Sequence, residues 1–374
     1  MRTRLPALLA VAACSSETAA PAPIKFLHTF GPEETELFNA TLPERGLAVE
    51  SSLVPFARGQ QVISEILRAG TSCPDLIRID ATWLPGFVAA GLLAPVPDSL
   101  AKLDWLPEAI ALASSEGKLA ALPATVDGLI VIRDGAAPAP VSASVDDLLA
   151  ATRAARHTGR PHPLGVRVDG YWLVPWLRAQ GADLAVDKID DDGATRAVAN
   201  FAGLFGELVP PPPPAGGEAP DEIRRWTAHE VAYWITGPWQ IGVLRDRERL
   251  AVSALAHAPR GGQLLVVPTC AKRPDEGWRL AGELTGVEVQ RRFAEAFATV
   301  PTRTASLAAA PPLVHALYAA LGAGELLPRS PLTPLLFDDL NPALAAVISG
   351  DATPAEAIDG VRRGWRRLAT QRTP

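Results

Sequence analysis

From residue 24 onward the apolar positions follow two alternating rhythms. The run 24–30 (IKFLHTF) has strand character, and 33–45 places Leu37, Phe38 and Leu42 on one side of a helix. LAVESSL (47–53) predicts the next strand. QQVISEILRAG (60–70) puts Val62, Ile63, Ile66 and Leu67 on one helical face with Gly70 at its end, and PDLIRID (74–80) then predicts a short buried strand. Strand, helix, strand, helix, strand implies a parallel, doubly wound sheet. A further helix is expected over 83–91 and a strand pair within 119–135, and 143–159 opens a second series of the same kind.

Later segments carry sharper boundary signals. LLVVPT (264–269) predicts a strand and 273–297 a pair of helices, the second opened by a capping box of Thr285 and Glu288. In the last helix (353–370) Thr353 is the expected N-cap, Pro354 the first helical residue and Glu356 the partner that completes the box. Its buried stripe is Ile358, Val361, Trp365 and Leu368. Five consecutive prolines within 208–220 can neither pair in a sheet nor continue a helix, so that segment predicts a surface loop of polyproline form.

Composition narrows the classes. At 374 residues with 48% hydrophobic content the chain can build two sizeable cores, and its formal charge of −6 argues against a nucleic-acid partner. Six histidines and three widely separated cysteines show no zinc-ligand or redox spacing, so no metal and no cofactor is expected. Arg2 and Arg4 precede the apolar LPALLAVAA, which is about half the length of a membrane-spanning helix and ends just before Cys14. Val11-Ala12-Ala13-Cys14 resembles a bacterial lipobox, in which the cysteine is acylated; an ordinary signal peptide with a chance cysteine is the alternative. On the first reading 1–13 is the signal peptide and 14–23 a flexible tether, which puts an exported, lipid-anchored protein at the cell envelope. Removal of the leader takes the charge to −8.

No nucleophile elbow, S-x-x-K or phosphate loop is present, so the chemistry rests on acidic and aromatic residues where strands end. Asp80 closes a strand just before Trp83; it is either one half of a binding pair or the N-cap of the next helix. Asp127, in TVDGLIVI, is either a ligand acceptor or part of an Asp-Gly turn. VDGYWLVPWLRAQGAD (168–183) crowds Asp169, Tyr171, Trp172 and Trp176 together, and VAYWITGPWQIG (231–242) does the same with Tyr233, Trp234 and Trp239. Trp176 and Trp234 sit in apolar runs and are assigned to the core. Trp239 follows a Gly-Pro turn that presents its ring at an edge, and is assigned to ligand. Carboxylates beside aromatic faces suit sugars, whose C–H faces pack on rings while their hydroxyls need acceptors.

Four stretches in this order, 74–96, 121–134, 230–239 and 264–303, together resemble the bacterial extracellular solute-binding proteins of ABC importers, of the maltose-binding type. The resemblance covers about 24–370. It implies an α/β fold of two lobes, the periplasmic-binding-protein fold, with a doubly wound sheet in each lobe and the ligand cleft between. The lobes would comprise 24–127 with 262–312, and 128–261 with 313–374. It further implies ligand contacts from Glu33, Asp127, Asp169, Tyr171, Trp239 and Phe337, with Trp83 and Arg303 as additional matches. The family fold sets the strand that begins after Cys73 antiparallel to the one that ends before Cys270, which implies a disulfide between them; two unpaired buried thiols are the alternative. The proline tract, and the lack of a lysine in the first loop, depart from the pattern.

The resulting expectation is a monomeric, non-enzymatic receptor that delivers a di- or oligosaccharide to importer permease subunits and is held to the membrane by lipid. A secreted glycoside hydrolase working with two of these carboxylates is the rival enzyme reading. A receptor for a non-sugar cation such as a polyamine or ferric iron would share the fold, but only three tyrosines are available as ligands.

Overall fold

The computed structural model describes residues 22–156, 159–189, 191–212 and 221–372. The leader, Cys14 and most of the proline tract (213–220) lie outside the described residues. Among the described residues twelve strands follow in chain order: β1 (Ile24–His28), β2 (Val49–Leu53), β3 (Leu76–Asp80), β4 (Ser114–Ser115), β5 (Lys118–Leu119), β6 (Leu122–Gly128), β7 (Ile130–Asp134), β8 (Leu164–Gly165), β9 (Tyr233–Thr236), β10 (Leu250–Ser253), β11 (Pro259–Val266) and β12 (Glu325–Leu326).

They build two main sheets. In the first, β1 pairs in parallel with both β2 and β3, as alternating strands and helices require. The sheet then departs from the all-parallel expectation. β11 runs antiparallel between β3 and β6, because this strand returns from the second half of the molecule and enters from the opposite end. The second sheet, ordered β10-β7-β9-β8, is mixed: β7 pairs antiparallel with β9 and β10, and β8 parallel with β9. Each sheet has helices on its faces and an apolar core, one including Phe26, Phe38, Leu76 and Trp278, the other including Leu173, Trp176, Phe201 and Trp365. The fold is therefore α/β in two lobes.

The chain crosses between the sheets where β6 gives way to β7 and where β10 gives way to β11. At the first crossing Gly128 has φ +148°, and a Cβ there would lie 2.5 Å from the Pro259 carbonyl oxygen, so only glycine fits. That carbonyl accepts from the Leu129 amide at 3.1 Å, which ties the two crossings together.

Several local signals act as read. Gly70 caps its helix in the left-handed conformation, and Thr353 and Glu356 exchange the bonds of a capping box, at 2.9 Å from the Thr353 amide to Glu356 and 3.3 Å in return. Others are corrected. The helix expected from 60 spans Phe56–Ala69, and 83–91 divides into a 3₁₀ turn Ala81–Trp83 and the helix Leu84–Ala89. The Thr285–Glu288 box does not form: the Thr285 hydroxyl donates back to the Ala281 carbonyl, Gly286 is the N-cap, and Glu288 pairs with Arg291 and Arg292. Trp176 is 3% exposed and meets Phe201 edge-on at 5.0 Å. Trp176→Ala should cost about 3–5 kcal/mol in urea unfolding, as core truncations do; a change below 1 kcal/mol would contradict its place in the core.

Candidate functional site

Parallel β1, β2 and β3 end at one edge of the first sheet, the edge at which open α/β sheets bind ligands. The register of the neighbouring antiparallel strands completes that edge. Gln263 of β11 lies opposite Asp80 of β3 on one side and Thr125 of β6 on the other, and Gly261 lies opposite Asp127. Residues aligned across a sheet share a face, so Asp80, Gln263 and Thr125 form one row, with Arg78 and Asp127 two positions along their strands.

Hydrogen bonds fix the row. Asp80 Oδ1 accepts from the Thr82 amide (2.9 Å) and hydroxyl (2.5 Å), and Asp80 Oδ2 accepts from Gln263 Nε2 (3.1 Å). Asp80 thus takes the expected role of cap to the short turn, while its second carboxylate oxygen is held in the row by Gln263. The Gln263 amide donates to Thr125 Oγ1 (3.1 Å), leaving the Thr125 hydroxyl proton for Asp127. Arg78 is buried inside a strand that otherwise reads as apolar. Its guanidinium lies 4.6 Å over the Phe30 ring, and Nη1 donates to Thr29 (2.8 Å).

Burial sets the electrostatics. Loss of water pushes the Asp127 carboxyl up to about 7, reinforced by the charge of Asp80 and opposed by Arg78. Asp80 is pushed up by burial too, although the Thr82 and Gln263 bonds oppose this. Burial, and then Arg78, lower His28 to about 4, so that His28 is neutral at pH 7. None of the ion pairs among the described residues involves Arg78, Asp80, Asp127 or Asp169.

The second lobe supplies the facing wall. Asp169 is the N-cap of the helix Gly170–Ala179, accepting from the Tyr171 amide (2.8 Å), and this capping aims Tyr171 across the gap, where its hydroxyl donates to the Pro259 carbonyl of β11 (3.3 Å). Tyr171 and Trp239 both contact Trp172 edge-on, with centroids 5.8 and 6.4 Å away. Trp172 is anchored by its indole N–H to the Ile235 carbonyl (2.7 Å). Trp239 remains 42% exposed, its ring laid over Gly237, where a Cβ would come within 2.1 Å of it. Phe337 packs at the start of the same helix, 3.0 Å from where a Cβ on Gly170 would stand.

Three sequence assignments separate from this group. Glu33 is exposed on the first helical turn, while Glu34, one residue on, turns inward, accepts from the Gly31 amide (2.8 Å) and acts electrostatically on Arg78 and Asp127. Trp83 is 5% exposed and fills the core space left by Gly59, stacked on Phe56. Arg303 is engaged by Asp104 and the face of Trp105. Sequence reasoning missed Arg78, Gln263 and Thr125; the available signal was a charged or amide side chain inside an apolar strand, in LIRID and GGQLLVV. Cys73 and Cys270 are joined, with Cα atoms 5.8 Å apart. Among the described residues no cluster of three or more His, Cys, Asp or Glu could hold a metal, and no helix is long and apolar enough to cross a membrane.

Two α/β lobes with acids and aromatics facing each other across their junction define a solute receptor. The model of the bacterial extracellular solute-binding protein family matches residues 47–320, and the chain belongs to that family, whose members bind rather than transform their solutes. Its fold is similar to the GacH receptor of Streptomyces glaucescens GLA.O, solved unliganded and with acarbose: 25% identity, 92% of this chain and 98% of that one, TM-score 0.80. It is similar also to maltose-bound MalE3 of T. maritima (19% identity, 92% and 100% covered, TM-score 0.79) and to the Thermus thermophilus maltotriose binding protein (19%, 92% and 100%, 0.77). No curated protein sequence matches the chain.

Proposed function

We propose that this protein is the receptor of an ABC importer, that it binds a di- or oligosaccharide between its lobes, and that an acyl chain on Cys14 holds it at the outer face of a membrane, where it meets the permease subunits. The observation that carries the reading is the facing of the Asp80–Gln263–Thr125 row and Asp127 by Tyr171 and Trp239. Acceptors of fixed geometry sit on one wall, and aromatic faces for a pyranose on the other. The sugars bound by the similar structures, acarbose, maltose and maltotriose, point the same way. Residues 24–127 with 262–312 act as one lobe, extended from the expected bounds by the start of β11 at Pro259 and by β12, which pairs with it in the first sheet; the remainder acts as the other lobe, and closure is favoured to the extent that ligand contacts are better in the closed state.

A thermal-shift screen over mono- to tetrasaccharides identifies the ligand, since a sugar at 100 times its Kd adds about 2.7 kcal/mol of stability. In calorimetric titration with that sugar, Trp239→Ala should weaken binding at least tenfold, about 1.4 kcal/mol, while the melting temperature without ligand stays near that of the parent. Unchanged affinity in Trp239→Ala would remove the stacking role. Release of reducing ends from the sugar would favour the hydrolase instead.

A further inference from the structure

The cleft carboxylates outnumber the one buried cation that acts on them. Asp80, Asp127 and Glu34 all lie within electrostatic reach of Arg78, yet no arginine, lysine or histidine of the described residues approaches these three carboxylates within ion-pair distance. Arg78 gives its guanidinium contacts to the Phe30 ring and Thr29, so its single charge reaches the three acids through space rather than by a direct pair.

A second observation is independent of the charges. Gln263 is 7% exposed; its Nε2 donates to Asp80, and its Oε1, on the other side of the amide, is buried without a hydrogen-bond partner. A buried acceptor without a donor costs stability, and such groups are normally satisfied. The row therefore offers a free amide oxygen and two carboxylates, all of them acceptors, in one place. Sugar hydroxyls could satisfy the acceptors one at a time, but a neutral hydroxyl adds no positive charge to a group in which three carboxylates share the one guanidinium of Arg78. A protonated nitrogen supplies several donors and the missing charge together.

We infer that the solute is a basic saccharide, an amino or imino sugar whose protonated nitrogen lies between Asp80 and Asp127 while its ring faces Trp239. This rests on the saccharide reading and names the chemical class within it.

Calorimetry should compare neutral gluco-oligosaccharides of one to four units with glucosamine oligomers of the same lengths and with 4-O-α-glucosyl-1-deoxynojirimycin, at pH 7 in low and high salt. The expected result is that at least one amine-bearing member binds tenfold or more tighter than its neutral counterpart, with a preference that shrinks in high salt. Asp127→Asn should reduce the ratio of the two affinities at least tenfold, and circular dichroism should show it folded. Neutral members binding as tightly as their amine-bearing partners, or a ratio unmoved by Asp127→Asn, overturns the inference and leaves the saccharide reading standing. Binding of none of these, or of spermidine alone, overturns both.

Discussion

Replacing Cys73 and Cys270 together by serine should lower stability by about 5 kcal/mol. The bridge closes a loop of 197 residues, and the entropy removed from the unfolded chain by so long a closure is worth about that much. Its place in the fold makes the effect directional. Cys73 stands just before β3 and Cys270 just after β11, strands paired antiparallel through Ile77–Val266 and Asp80–Gln263, so the bridge fastens the end of the first sheet opposite the acids. All strands of the second sheet lie within the loop, which means that the bridge holds together the points where the chain leaves the first sheet and returns to it. Urea unfolding of the oxidised, reduced and double-serine forms, followed by far-ultraviolet circular dichroism, reads the difference. A loss below 1 kcal/mol in both altered forms would show that the paired strands alone supply the cohesion. Trp278, packed in the first sheet's core, should report the change in fluorescence before the Trp176 region does.

The first lobe is legible in the sequence where one periodicity governs one element. The apolar faces of 33–45 and 60–70 and the strands between them depend on nothing distant, and the structure places them within a few residues of the expected bounds. Legibility ends where a residue's partner comes from far along the chain. Arg78 is tolerated in a buried strand because Phe30 and Thr29 meet it, and Gln263 because Asp80 and Thr125 flank it, contacts that local pattern does not encode. Trp83 could be read as a cleft aromatic from its neighbour Asp80, but Gly59, 24 positions earlier, leaves the space that takes its ring into the core. Glu33 and Glu34 differ by one step of about 100° around a helix, and only packing decides which turns inward. Thr285 had the residue spacing of a capping box, yet Gly286 in an extended conformation took the cap and freed the threonine hydroxyl for the preceding turn. Asp169 and Tyr171, by contrast, stand two residues apart, and the cap bond that positions the tyrosine is local to the sequence.

Asp127→Asn should stabilise the protein without ligand at pH 8 and leave it nearly unchanged at pH 4. In the unfolded chain the Asp127 carboxyl ionises near 3.8, while in the fold burial and the charge of Asp80 hold it up to about 7. Between these values the folded state binds a proton that the unfolded state has released, so stability falls as pH rises from about 4 to about 7, and the whole penalty is present above 7. Three pKa units set a ceiling of about 4 kcal/mol, and for a half-buried carboxyl that water reaches through the cleft about 2 kcal/mol is expected. The groups that face it fix the pattern of controls. Asp80→Asn removes the repulsive neighbour and should flatten the same pH dependence, whereas Arg78→Met removes the compensating cation and should steepen it. Thermal melts from pH 4 to 9 decide the matter; an Asp127→Asn curve parallel to that of the parent would mean that the carboxyl titrates normally. A strained acid of this kind makes sense in a receptor, because the penalty present at neutral pH in the empty cleft is relieved when a ligand supplies the donor, which converts stored destabilisation into affinity for the closed, occupied state.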